Sequence, residues 1–172
     1  HISCDLANSQ ERIAVFKSLA DHGPIYGLVN NAGIATPNLL EEFDLNVYES
    51  VMTINATAVA ELTAAVVPSM IQNKSGRIIN ISSELILGFA TRTAYSASKA
   101  AVASFARTWA LELGKYNICC NAIAPGPVET DLFVKNNPEG SAVRQSKLNK
   151  IHKFMLEELG RKGIKIIKIY ET

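Results

Sequence analysis

Short apolar runs recurring between amphipathic stretches constrain this chain more than any other feature. Ile25-Tyr-Gly-Leu-Val29, Arg77-Ile-Ile-Asn-Ile81 and Asn117 to Ala124 are bounded by turn residues and too short for helices, so they predict buried strands. Helical patterns lie between them. Ser9 to His22 carries Ile13, Phe16, Leu19 and Ala20 on one stripe and stops at Gly23-Pro24. Val47 to Met70 follows, with Pro68 near its end, and then an Ala-rich segment from Tyr95 to Leu113 closed by Gly114. His1 to Asp5 predicts one more strand. Strands alternating with helices imply an α/β fold, a doubly wound parallel sheet with helices on both faces. Ligands of such sheets sit beyond the carboxyl ends of the strands, where Asp5, Asn31, Ser83 and Pro125 fall.

Composition narrows the function classes. A chain of 172 residues, 48% apolar and of net charge +1, describes one ordinary globular domain, with no disorder signature and nothing that advertises nucleic acid. The longest apolar run, Ala56 to Met70, is interrupted by Glu61 and Pro68 and falls short of a spanning helix. No membrane segment is expected, and no signal peptide precedes His1. Cys4, Cys119 and Cys120 are odd in number, and the adjacent pair points to opposite strand faces, which argues against a disulfide framework. Buried thiols in a reducing cytoplasm are the expectation. His22 and His152 have no metal-ligand spacing, so no metal site is predicted. Val134 to Ser146 reads as a mobile surface segment, and Lys147, Lys150, Lys153, Glu157 and Glu158 as a solvated helix face.

The chemistry concentrates around the strand at Arg77–Ile81. That strand delivers Ser82 and Ser83 at its carboxyl end, and Tyr95 and Lys99 follow at i, i+4 spacing, on one face of a helix about one turn apart. An ammonium there favours phenolate over phenol, which suits the Tyr for passing a proton to or from a carbonyl oxygen. A serine hydroxyl nearby can hold that oxygen. Leu85, Ile86, Leu87 and Phe89 are placed to wall such a pocket.

Asn30-Asn31-Ala32-Gly33, Asn55, Ser82-Ser83, Tyr95-x-x-x-Lys99 and Asn121-Ala-Ile-Ala-Pro125-Gly126 occur in that order. Together they resemble the short-chain dehydrogenase/reductase family, over about Ile2 to Leu148, and most closely its 3-oxoacyl-acyl-carrier-protein reductases. The resemblance implies a Rossmann-like sheet and hydride transfer between NADP or NAD and a ketone or secondary alcohol, a 3-oxoacyl thioester being one candidate. It implies a catalytic tetrad of Asn55, a serine, Tyr95 and Lys99. Strand register selects Ser83, while the family's usual spacing from the tyrosine selects Ser82; strands absorb deletions less readily than loops, which favours Ser83. Cofactor contacts carried over are Asp5 and Leu6 at the adenine, Asn31, Ala32 and Gly33 beside the ribose, Tyr95 and Lys99 at the nicotinamide ribose, and Pro125, Gly126, Val128 and Thr130 around the nicotinamide. For Asp5, a helix N-cap is the competing role, one that Asn8 or Ser9 fills better. Phe105, Trp109 and Leu113 share a helix face and are expected in the core or at a subunit contact; by analogy the family implies a homo-oligomer, a dimer or tetramer.

Relative to the family the sequence is N-terminally truncated. No Gly-x-x-x-Gly-x-Gly occurs in it, and His1 matches the start of the family's third strand. Residues 1–148 read as a partial domain of that family and 149–172 as a divergent segment. In the latter, Ile151 to Gly160 suits a helix and Ile164 to Ile169 a strand, a unit expected to add to an open sheet edge. A catalytically silent remnant that binds no dinucleotide is the alternative reading. Nucleotide-sugar epimerases share Tyr-x-x-x-Lys, but the Asn-Asn-Ala-Gly and Asn-Ala-x-Ala-Pro-Gly motifs argue against them.

Overall fold

The computed structural model describes residues 2–19 and 23–126, together with Lys135 and Gly140. The chain divides into two compact units, His1–Pro125 and Gly126–Thr172, and the elements named here belong to the first. Their order is α1 (Ser9–Leu19), β1 (Gly27–Asn30), α2 (Leu45–Met52), a π-helical turn (Thr53–Thr57), α3 (Ala58–Gln72), β2 (Gly76–Ile81), α4 (Thr93–Leu113) and β3 (Ile118–Ile123). Val128, Thr130, His22, His152, the segment Val134–Ser146 apart from Lys135 and Gly140, and residues 149–172 lie outside the described residues.

The three strands form a parallel sheet in the order β1-β2-β3, with Leu28 opposite Ile78 and Ile78 opposite Cys120. The sheet, with helices in the crossovers, is the expected Rossmann-like α/β arrangement. Along β2 every second residue is buried, so Gly76, Ile78 and Asn80 share one face. Ile118 and Cys120 of β3 extend that face, and Val66 and Met70 of α3 and Leu113 of α4 close over it. Met70, Ile78 and Ile118 are wholly inside, each stabilising the fold by about 1.5–3 kcal/mol. Gly76 is required by a close approach: a Cβ there would lie 2.6 Å from Met70 Sδ and 3.1 Å from Met70 Cβ. Among the described residues the helices cover this face only. On the other, Val29 is 60% exposed, and Cys119, Asn121 and Ile123 are exposed as well.

Two expectations are corrected. Ile2 to Asp5 is not a strand, because among the described residues no strand lies beside it to complete a ladder. On α1 the one fully buried residue is Arg12, whose Nε meets Glu61 Oε2 at 2.6 Å and whose Nη1 donates to the Leu6 carbonyl at 2.7 Å, while Leu19 of the apolar stripe packs half-buried against the core. An ion pair therefore ties α1 to α3. Finally, Leu45 to Gln72 is one helical run whose best window reaches a mean hydropathy of 1.5, long and apolar enough by length and composition to cross a membrane. It starts earlier than expected because Asp44 caps it, accepting from the Asn46 and Val47 amides at 2.8 and 3.4 Å, and Pro68 does not break it. Its buried Asn55 and Thr63 bond inside the protein, which is the behaviour of a core helix. The thiols differ in setting: Cys120 is buried, Cys4 half-buried and Cys119 exposed, and all three are free.

Candidate active site

Three elements converge at the carboxyl ends of β1 and β2. A buried amide ladder joins them first. Asn30 Nδ2 donates to Asn80 Oδ1 at 2.9 Å and to Thr63 Oγ1 at 3.3 Å, and Asn80 Nδ2 donates to the Val102 carbonyl at 3.0 Å. A satisfied polar network of this kind fixes the depth of α3 and α4 against the sheet.

Asn55 sits in the π-helical turn, a distortion frequent at functional sites. Its Oδ1 accepts from the Ile34 amide at 2.8 Å, and its Nδ2 donates to the Ile34 carbonyl at 2.9 Å and to Ser98 Oγ at 3.0 Å. Ser98 in turn donates to the Tyr95 carbonyl at 2.8 Å. Asn55 thus clamps the chain after Gly33 to the first turns of α4. A Cβ on Gly33 would lie 3.2 Å from Asn55 Oδ1 and 3.3 Å from Lys99 Nζ, so glycine is what lets the main chain pass under both groups.

Lys99 is 5% exposed and its Nζ donates to the Ile81 carbonyl at 2.7 Å, which leaves two donors of the ammonium for other partners. No carboxylate pairs with it among the described residues. Its Nζ stands 5.7 Å from the centroid of the half-buried Tyr95 ring. Burial pulls the Lys99 amine below its ordinary value of 10.5. The unfolded lysine then holds a proton that the folded one gives up sooner, so this penalty is present at low pH and relieved as pH rises from the lowered value towards 10.5. Urea unfolding between pH 7 and 10 is expected to show a rise in stability from this group that flattens in Lys99→Met.

The serines part company. Ser82 Oγ is committed inward, donating to the Lys99 carbonyl at 2.8 Å, while Ser83 caps the short turn Glu84–Leu87, its Oγ accepting from the Leu85 amide at 3.2 Å. Its own proton has no acceptor among the described residues. Pro125 enters because the Glu84 amide donates to its carbonyl at 3.0 Å, and Ile123 because the Ser82 amide donates to its carbonyl at 2.7 Å. Asn31 and Ala32 are exposed beside Gly33, and Gly126 is exposed too. Asp5 and Leu6 lie in the turn before α1. Asp5 Oδ1 accepts from the Ala7 amide, whereas Asn8 Oδ1 caps α1 through the Gln10 and Glu11 amides. The expected wall is in part a rim: Leu87 is 90% exposed and Ile86 and Phe89 are 37% exposed, while Leu85 is half-buried. Sequence reasoning missed Ser98, Asn80 and Arg92. Ser98 was signalled by its place in the Tyr-x-x-x-Lys turn, where a serine inside a helix needs a partner.

Residues 1–140 match the family model described as short chain dehydrogenase. The chain belongs to the short-chain dehydrogenase family. It is 41% identical over 127 residues to the 3-oxoacyl-acyl-carrier-protein reductase FabG of Thermotoga maritima, a match covering 73% of this chain and 52% of that protein. The chain thus spans about half the length of the curated relatives it matches. A gluconate 5-dehydrogenase of Burkholderia cenocepacia, solved with NADP and tartrate, superposes with a TM-score of 0.76 at 32% identity, covering 85% of this chain and 57% of that one. An NAD+-bound xylitol dehydrogenase gives a TM-score of 0.76 at 28% identity, covering 87% and 64%. Short-chain dehydrogenase membership agrees with the motif order seen in the sequence.

Proposed function

We propose that the chain transfers hydride between a nicotinamide cofactor, NADP or NAD, and a ketone or secondary alcohol, 3-oxoacyl thioesters included. The observation that carries this reading is the meeting of Asn55 Oδ1 and Lys99 Nζ over Gly33, one helical turn from Tyr95. The residues present suit the nicotinamide-ribose half of such a cofactor. Gly33 keeps a cradle open that any side chain would fill, and Lys99 has donors to spare for the ribose hydroxyls. Asp5 and Leu6 would hold the adenine, the main chain of Asn31, Ala32 and Gly33 would lie beside the cofactor ribose, and Pro125, Gly126, Val128 and Thr130 would hold the nicotinamide. When bound, the nicotinamide supplies the hydride. Tyr95 donates the proton to the carbonyl oxygen as charge develops on it, Ser83 holds that oxygen by a hydrogen bond, and Lys99 holds positive charge beside the phenol. Asn55 keeps Tyr95 and Lys99 in place through Ser98 and Ile34. The outer faces of α3 and α4, where Ala60, Ala64, Val67, Pro68 and Trp109 border a groove of about 330 Å³, are the surface through which the chain would form a homo-oligomer in the cytoplasm.

The rival reading is that these 172 residues bind no dinucleotide by themselves. Thermal unfolding with NADH or NADPH separates the two. A ligand that binds only the folded chain at 100 times its Kd stabilises it by about 2.7 kcal/mol, so a clear upward shift at millimolar cofactor is expected. An unmoved melting temperature would select the remnant.

A further inference from the structure

Arg92 lies one turn before Tyr95, is 6% exposed, and is the N-cap of the 21-residue helix α4. Its buried Nε and Nη1 have no hydrogen-bond partner among the described residues. Ser96 Oγ, on the same helix stripe at i+4, is likewise buried and unpartnered. An arginine is always charged and its fork expects planar oxygen acceptors, so a buried guanidinium without them is costly. The helix end increases that cost. α4 has no side-chain cap and no acidic residue in its first turn, and its first-turn amides add positive potential where a cation already stands.

The chain holds Arg92 there deliberately. Thr91, a β-branched residue, takes a left-handed φ of 68°, and its carbonyl accepts from the Asn38 amide at 3.1 Å, while Asn38 pairs with Arg92 in an isolated bridge. This joins the segment after Gly33 to the start of α4. Burial pulls the Arg92 guanidinium below the usual arginine value and Tyr95 partly restores it, so the guanidinium lies within electrostatic reach of the phenol.

We propose that Arg92, assisted by Ser96, anchors an anionic group, carboxylate or phosphate, carried by the carbonyl substrate. A charged fork one turn from Tyr95 would orient the substrate while the cost of its burial is offset only when the anion arrives. The identity of the molecule bearing the anion rests on the hydride-transfer reading; the anion site itself does not.

The test measures binding of tartrate and of its neutral counterpart dimethyl tartrate to the full chain by calorimetry, for the wild type, Arg92→Met and Arg92→Lys. The wild type is expected to prefer tartrate by roughly 10- to 100-fold, the scale of a charge-assisted hydrogen-bonded pair. Arg92→Met loses the preference, and Arg92→Lys, which keeps the charge without the planar fork, retains part of it. Arg92→Met is expected to melt no lower than the wild type, since it removes an uncompensated buried charge; should it not fold, Arg92→Lys carries the comparison. Inorganic phosphate that displaces tartrate assigns the site to phosphate-bearing substrates, and phosphate that does not compete assigns it to carboxylates. No preference in the wild type, or one that survives Arg92→Met, overturns the proposal. Turnover with NADH or NADPH separates the two readings. If ketones are reduced but Arg92→Met lowers kcat/KM equally for acidic and neutral substrates, hydride transfer stands and the anion anchor falls. If nothing is reduced while tartrate preference still depends on Arg92, the anchor stands and hydride transfer falls.

Discussion

Tyr95→Phe is expected to lower kcat by about 10²–10⁴-fold, the range attributable to a positioned general acid. Only the hydroxyl is deleted. The ring of Tyr95 is half-buried and keeps its place beside Lys99 Nζ, and its hydroxyl has no hydrogen-bond partner among the described residues. Stability should therefore change by less than about 0.5 kcal/mol, as for a surface substitution. Steady-state reduction of a ketone, paired with urea unfolding of the same preparation, checks both halves. Activity retained in the Phe variant would remove Tyr95 as the acid, and a large stability loss would make its role structural.

Asn55→Leu should do the opposite, damaging the fold and the site together. Asn55 is 1% exposed and makes three bonds, two to the main chain of Ile34 and one to Ser98. Leucine has similar volume but satisfies none of them, and it strands the Ile34 amide and carbonyl, while the Ser98 hydroxyl keeps its bond to the Tyr95 carbonyl. Each stranded buried group costs about 1–3 kcal/mol, so a loss of roughly 2–4 kcal/mol is expected after partial relaxation. Because Asn55 Oδ1 shares the space over Gly33 with Lys99 Nζ, the same change also loosens Lys99. Denaturant midpoints measure the first effect. A loss below about 1 kcal/mol would show that the Ile34 groups find water instead and that the clamp is not structural.

Much of this molecule was legible in the linear chain. Short apolar runs bounded by turn residues predict strands, and the three that became β1, β2 and β3 lie within about two residues of where the pattern put them, although β1 is largely exposed rather than buried. The spacing of Tyr95 and Lys99 needed nothing beyond helix geometry to put them on one face. Side-chain chemistry narrowed the N-cap of α1 to Asn8 or Ser9, and Asn8 fills it. These are all features in which residues close in sequence interact, so local physics decides them.

What only the tertiary structure decided involves partners far apart in sequence. Ile2 to Asp5 has the composition of a strand, but a strand exists only where a neighbour completes its hydrogen bonds. On α1 the fully buried position went to Arg12, whose partner Glu61 is 49 residues away, with Leu19 of the apolar stripe half-buried against the core. For the serines the sequence offered two conflicting counts, of which strand register favoured Ser83; in the fold a one-residue alternation sent the Ser82 hydroxyl inward to the Lys99 carbonyl and left Ser83 at the strand end. Ser98, Asn80 and Arg92 carried little signal, because a buried polar residue is identified by what it meets, or fails to meet, once the chain has closed around it. The sequence by itself determined the parallel α/β frame and the Tyr95–Lys99 pair, both short-range consequences of periodicity. Closure of the fold decided which polar groups were satisfied inside it and which were left facing an unmet charge.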